Sequence, residues 1–256
     1  MHWRLIETGP KNGAMNMAID EALIISEEPV LRLYRWKPPC LSIGYFQAIS
    51  QINTKECKRN GIDIVRRPTG GNAVLHDNEL TYCVVINEKY MPDSIIESYK
   101  TISKGLLEAL KMIGLKAKMN RDIKKQEKSA ICFNDPSWYE IIVNNKKIIG
   151  SAQKRMNGKI LQHGAILIDI DIKKYCCLFS GFNKKLIERV KNRMTSINNE
   201  LNKKISYRDI KNATIKGFKK ALDIKFKRSR LTKKEKLLAE KLYKKKYSKR
   251  NWNFMR

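Results

Sequence analysis

The chain has 256 residues, 42% hydrophobic and 30% charged, the balance of a globular protein long enough to bury a sizeable core. Its 53 Lys and Arg against 25 Asp and Glu give a formal net charge of +28, which points toward an acidic or anionic partner. No apolar run reaches the ~20 residues of a membrane span, MHWRLIETG lacks the apolar core of a secretion signal, and six scattered cysteines with three histidines match neither a disulfide framework nor zinc spacing.

A cytoplasmic protein with no membrane partner and no metal is therefore the expectation. WRLIE reads as a first short strand, and NMAIDEALIIS as a helix with Met15, Ala18, Ile19, Ala22 and Ile25 on one face. VLRLYRW and LSIGYF read as strands with a turn at Pro38 and Pro39. GIDIVRRP and ELTYCVVIN are two further strands flanking TGGNAVLHD. A long helix begins at Ser94, the N-cap of a capping box closed by Glu97. Ile95, Tyr99, Ile102, Leu106, Leu110 and Ile113 then step by three and four until Gly114 stops it. WYEIIVNNKKIIGSAQ predicts a hairpin turning at Asn144 and Asn145, and KILQHGAILIDI continues the sheet.

From about residue 173 the pattern is helical, with a second capping box at Thr232 and Glu235. Residues 201–256 hold 21 Lys and Arg against 4 Asp and Glu, and their amphipathic faces predict a basic helical segment docked on the core. Alternating strands and helices without a linker predict a single domain over residues 1–256. Its class is α/β (α+β), with mixed or antiparallel sheets and packed helices. The charge also fits a Lys-rich compositional bias, so it selects no partner by itself. No helix-turn-helix or RNA-binding signature accompanies it, and nucleic acid is not an expected partner.

RRPTGGNAVLHD, residues 66–77, is the densest motif. Pro68, Thr69, Gly70 and Gly71 form a tight loop after a strand, where missing Cβ atoms admit a ligand or a neighbouring chain. Arg66 and Arg67 are placed to clamp an anion, and His76 and Asp77 close the motif. A Gly-Gly turn between strands is otherwise an ordinary structural turn. Cys132 sits beside the turn-forming Asn134, Asp135 and Pro136, unlike a cysteine used as a small core hydrophobe. Cys40, Cys83, Cys176 and Cys177 read as packing residues. Cys57 reads as a surface helix end whose basic neighbours would lower its pKa. Lys146 and Lys147 should face opposite sides of a strand, one of them solvent. His163 either shapes a pocket or satisfies a backbone hydrogen bond.

RRPTGGNAVLHD followed by ELTYCVV, with NMAIDEAL upstream and KKIIGSAQKR downstream, resembles the signature of the lipoate/biotin protein ligase superfamily. PPCLSIGYFQ, CFNDPSWYE and ILQHGAILID narrow the resemblance to the LipM-type octanoyltransferases. It implies a class II biotin/lipoyl protein ligase-like catalytic fold. It also implies an acyltransferase that takes octanoyl from acyl carrier protein onto Cys132 as a thioester. The acceptor would be the lysine of a lipoyl-domain protein, usually the glycine cleavage H protein. Lys147 matches the functional lysine of the superfamily, implied here to stabilise the Cys132 thiolate. Arg67, Gly70, Gly71, His76, Gly150, Ser151 and His163 fall at implied substrate-binding positions. Asn72 stands where the superfamily often has Gly or Arg.

The LipB-type octanoyltransferases carry their cysteine shortly before a His-Gly pair, and GKILQ before His163 and Gly164 contains none. ATP-dependent lipoate ligases share the loop and the lysine strand but need no cysteine. An amidotransferase between lipoyl domains would use the cysteine and differ only in its donor. A thioester donor is already activated, so the leading expectation needs no ATP and no other cofactor.

Overall fold

The computed structural model describes residues 1–120 and 140–256; Cys132 lies outside the described residues. The strands are β1 (His2–Glu7), β2 (Val30–Tyr34), β3 (Cys40–Ile43), β4 (Asp63–Arg66), β5 (Val74–His76), β6 (Glu79–Asn87), β7 (Lys118–Met119), β8 (Ile141–Val143), β9 (Lys146–Met156), β10 (Lys159–Leu167) and β11 (Lys225–Ser229). Eight of them form one sheet in the order β11-β1-β2-β6-β10-β9-β8-β7, and three form a second in the order β4-β3-β5. β1 runs parallel to both neighbours, and the other pairs of the large sheet are antiparallel. In the small sheet β3 is parallel to β4 and antiparallel to β5. The mixed sheets agree with the expected class.

The helices are α1 (Gly13–Ala22), α2 (Thr54–Arg59), α3 (Ile95–Met112), α4 (Ile172–Cys177), α5 (Lys184–Arg193), α6 (Ile197–Leu201), α7 (Tyr207–Ala221), α8 (Lys233–Leu242) and α9 (Arg250–Asn253). α3 and α7 bury Ile102, Leu106, Leu110, Ile210 and Phe218 against one face of the large sheet. They cross at two glycines: a Cβ on Gly217 would meet the Gly105 carbonyl oxygen at 2.4 Å. α1 and α8 join a second core on the opposite face through Met17, Ala18, Ile19 and Ala239. α4 and α5 pack with the small sheet through Tyr175, Cys176 and Val190. Among the described residues no helix is long and apolar enough to cross a membrane.

Several local expectations hold at residue level. β6 spans the whole of ELTYCVVIN, and Asn144 and Asn145 turn the β8–β9 hairpin at φ 48° and 61°, as a two-residue turn of this hand requires. Gly114 ends α3 at φ +94°. Both halves of the Thr232–Glu235 capping box form. At α3 only one half does: Ser94 accepts from the Glu97 amide, while the Glu97 carboxylate turns to Lys100 at 2.6 Å.

Three expectations need correction. α1 buries Ala18, Ile19 and Ala22 of its apolar stripe but also Asn16, Met17 and Asp20 beside it, while Ile25, in the turn after the helix, is left 46% exposed. The polar pair is buried because it has partners deeper in the protein, described below. LSIGYF stops being a strand at Ile43, because Gly44 packs on the glycine loop, where a Cβ would lie 1.6 Å from the Gly71 carbonyl oxygen. The segment after residue 201 is not wholly helical either. Its β11 pairs in parallel with β1 as the charged edge of the large sheet, where lysines discourage pairing with another chain.

Candidate active site

A narrow cavity of about 360 Å³, open mouth included, lies where the two sheets meet. β10 contributes His163, Gly164 and Ala165, β9 contributes Gly150, Ser151 and Ala152, and Ser42, Val74, Arg67 and His76 close the side of the small sheet. Tyr34, Trp36, Thr81 and Met17 complete the wall. Of the residues expected to bind substrate, Arg67, His76, Gly150, Ser151 and His163 are thus brought together. Gly70 and Gly71 are not among those lining it. The strands come this close because Gly164 has no side chain: a Cβ there would lie 2.4 Å from the Gly150 carbonyl oxygen and 2.8 Å from the Tyr82 ring.

His163 is held at both ring nitrogens, by Thr69 Oγ1 at 2.8 Å and by Asp20 Oδ2 at 2.9 Å. Neither partner is backbone, so the pocket-shaping alternative is the one consistent with its surroundings. Asp20 also receives Arg32 Nη1 at 2.6 Å and the Tyr34 hydroxyl at 2.7 Å. Arg32 in turn donates to the Asn16 carbonyl and side-chain oxygens and stacks 3.7 Å from the centre of the Tyr34 ring. Burial pushes the Asp20 carboxyl up, but the Arg32 guanidinium and the hydrogen bonds from His163 and Tyr34 outweigh it, and the net shift is downward. The buried carboxylate therefore fixes the imidazole that faces the cavity. Asp20, Asn16 and Arg32 were missed from sequence. Their one signal is two polar residues, at positions 16 and 20, one helical turn apart within an apolar run.

A second chain of contacts closes the cavity's other end. His76 stacks on Trp36 with centroids 4.0 Å apart, and its Nε2 meets Ser42 Oγ at 2.8 Å. Its Nδ1 lies 3.5 Å from Glu79 Oε1, which accepts from Thr81 Oγ1, itself the acceptor for Trp36 Nε1. Burial pushes the His76 imidazole down, more than Glu79 raises it. The unfolded chain therefore binds this proton more readily, and stability is lost as pH falls below the ordinary imidazole value of about 6.5. Urea midpoints should drop between pH 7 and pH 5, and His76→Asn should flatten that slope; an unaltered slope refutes the assignment.

The two arginines of the motif separate in role. Arg67 donates to the carbonyls of Ser42, Gly70 and Asn72 and so pins the glycine loop beside the cavity. Arg66 is fully buried and donates to the carbonyls of Gly44, Gln47 and Asn253. It clamps backbone segments together, which corrects its expected part in holding an anion.

Lys147 is buried, and its Nζ pairs with Glu140 Oε1 at 2.5 Å; Lys146 is partly exposed. β8 pairs Ile141 with Ile149 but Ile142 with Lys147, so Ile148 is the extra residue of a bulge. Ile148 and Ile149 both belong to the α3–α7 core. The bulge thereby breaks the alternation and turns Lys147 to the face that carries Gly150, Ala152 and His163. Lys147 is three residues from Gly150 along the strand, about 10 Å. Sequence alternation alone could not reveal this, nor the partner Glu140.

The described cysteines are unsuited to nucleophilic work. Cys57 is 1% exposed rather than a surface residue, and burial pushes its thiol up to about 12. Burial likewise raises Cys176 to about 11, Cys177 upward, and Cys40 and Cys83 well above the ordinary value.

Residues 12–219 match the family described as the lipoyl protein ligase A/B catalytic domain. The chain is 42% identical over 273 aligned positions to octanoyltransferase LipM of Geobacillus kaustophilus, with 99% of this chain and 98% of that one covered. It is 45% identical to octanoyltransferase LipM of Staphylococcus epidermidis, with 91% of each chain covered. Among solved structures, the bi-partite lipoate protein ligase of Thermoplasma acidophilum superposes with a TM-score of 0.85 at 29% identity, covering 99% of this chain and 96% of that one. A lipoate-protein ligase A crystallised with ATP superposes at 0.84 and 29% identity, with 99% of each chain covered.

Proposed function

Because the chain belongs to the lipoyl protein ligase A/B catalytic domain family, we propose that it passes an octanoyl group through a thioester on Cys132. It is an acyltransferase, an octanoyltransferase of lipoate biosynthesis. The donor is octanoyl-acyl carrier protein, and the acceptor is the lysine of a lipoyl-domain protein such as the glycine cleavage H protein. The reaction takes place in the cytoplasm. One observation carries the route: Cys40, Cys57, Cys83, Cys176 and Cys177 all have thiols raised by burial, which leaves Cys132 for the thiolate.

The acyl chain occupies the cavity between Trp36, Val74, Gly150 and His163. In the first step the Cys132 thiolate attacks the carbonyl carbon of the donor thioester, the donor carbon–sulfur bond breaks, and the carrier leaves as a thiolate that takes its proton from solvent. In the second the neutral acceptor amine attacks the thioester carbonyl carbon, the carbon–sulfur bond breaks to release the Cys132 thiolate, and the nitrogen loses its proton to solvent as the amide forms. Thioester exchange is close to balanced and amide formation runs downhill, so no ATP enters. Arg67, Gly70 and Gly71 shape the loop over the bound chain, and Gly150, Ser151, His76 and His163 line its channel. The Lys147 ammonium, fixed by Glu140, stabilises the thiolate and the oxyanion of each tetrahedral intermediate.

Intact mass spectrometry tests the route. Mixing the protein with octanoyl-carrier protein and no ATP should add one octanoyl mass that hydroxylamine removes. Labelling that requires ATP and Mg²⁺ would instead favour a ligase. The lysine is tested with its partner neutralised, since a lone buried carboxylate would itself destabilise the fold. Lys147→Gln with Glu140→Gln should slow octanoylation of Cys132 by roughly 10² to 10³ relative to Glu140→Gln alone. Near-normal labelling sinks the role.

A further inference from the structure

The surface beside the cavity mouth carries an unusual pairing of aromatic rings and cations. Tyr45 and Phe46 follow β3 with their rings edge to face at 4.8 Å. Phe46 is 72% exposed, more than any other large hydrophobic side chain among the described residues. The Arg256 guanidinium lies 5.6 Å and 5.3 Å from the two ring centres, and Lys154 Nζ lies 5.3 Å from that of Tyr45. Lys100, Lys174 and Lys246 each have a carboxylate partner, whereas Lys154 and Arg256 form no ion pair among the described residues.

This patch is continuous with the site. The Tyr45 amide donates to the Thr69 carbonyl at 2.9 Å, and Thr69 Oγ1 holds His163. Lys154 follows the cavity-lining Ala152 by two residues on β9, hence on the same face. An apolar anchor ringed by unpaired cations fits a partner with an apolar spot inside an acidic surface.

The proposed route brings two carrier proteins to this mouth, and chemistry separates them. The donor delivers its acyl chain on an arm joined to its protein through a phosphodiester, an anion that must pass the mouth. The acceptor leads with a lysine, which Lys154 and Arg256 repel. We propose that Tyr45, Phe46, Lys154 and Arg256 form the docking surface for the acidic, phosphate-bearing donor carrier. This rests on the transferase reading above and adds the donor's place of contact.

Single-turnover octanoylation of the full chain, followed by intact mass, tests it with two donors: octanoyl-carrier protein and octanoyl-N-acetylcysteamine. Phe46→Ala and Lys154→Glu should each lower the second-order rate with the carrier donor at least tenfold. Lys154→Glu should also flatten the fall of that rate with ionic strength. The small thioester should label both variants within twofold of wild type. Transfer from preformed acyl-enzyme to the acceptor should be equally unaffected. Lys104→Glu, the same charge change on the remote exposed face of α3, is the control. The surface is refuted if the carrier rates match that control, if the small thioester loses rate equally, or if the loss falls on the acceptor step. A wild-type chain that neither donor labels refutes the transferase reading itself.

Discussion

Cys132→Ser is expected to remove the hydroxylamine-labile octanoyl adduct and to cut transfer to the acceptor by about 10⁴-fold or more. Losing the nucleophile of a two-step transfer removes both steps, as knocking out one member of a catalytic unit generally does. A serine hydroxyl is almost never ionised near neutral pH, and exchanging a thioester for it would need a general base that a thiolate does not. No other described cysteine can substitute, because burial raises the thiols of Cys40, Cys57, Cys83, Cys176 and Cys177. The measurement is intact mass with octanoyl-carrier protein, alongside a second reaction supplied with octanoate, ATP and Mg²⁺. Full modification of the acceptor by Cys132→Ser in that second reaction would establish ligase chemistry on this scaffold and end the thioester route.

Asp20→Asn should cost about 3–5 kcal/mol of folding stability, because it leaves a charge buried without its counterion. The pair it breaks is completely enclosed, with Asp20 and Arg32 side chains both at 0% exposure. The amide keeps the shape and one acceptor, so the loss reports charge rather than packing. Arg32→Met combined with Asp20→Asn should regain part of it, since no orphan guanidinium remains. The wild-type contribution also has a defined pH window. The Asp20 carboxyl titrates below its ordinary value when folded, so the pair stabilises fully above about pH 3.9 and is lost as pH falls through the lower folded value. Urea denaturation of both variants at neutral pH is the check, and a loss under 1 kcal/mol for Asp20→Asn would remove the pair from any structural role. Because Asp20 also orients His163, the same variant should loosen the imidazole facing the cavity.

How far the sequence could be read depended on which physical signal each residue carried. β6 was legible to its last residue because its nine positions combine β-branched and aromatic side chains between turn residues. Asn144 and Asn145 were legible because their turn demands positive φ. The order of motifs around the glycine loop likewise carried the family and the cavity's principal walls. Asp20 and Asn16 were not, since an amphipathic reading assigns polar helix residues to solvent and cannot see an arginine on the next strand. β11 was lost because Lys225 to Ser229 show an edge strand's mix of charge and exposure, which resembles a helix surface. The face of Lys147 turned on one inserted residue in β9, an irregularity that periodicity has no means to express. Cys57 misled in the other direction, its basic neighbours pointing outward while the thiol itself turned into the core.

The clamp centred on Arg66 sets an order on biosynthesis. Its amide is capped by Asn253 Oδ1, a residue 187 positions later, and Trp252 donates to its carbonyl. At ordinary translation speeds roughly 10–40 s separate the two partners leaving the ribosome. In the later part of that interval, once β10 has been made, the nascent chain owns the strands and glycines that line the cavity but not the bolt that secures the loop beside them. Newly made copies therefore become competent late, once residues near 253 have been threaded back to a segment finished long before.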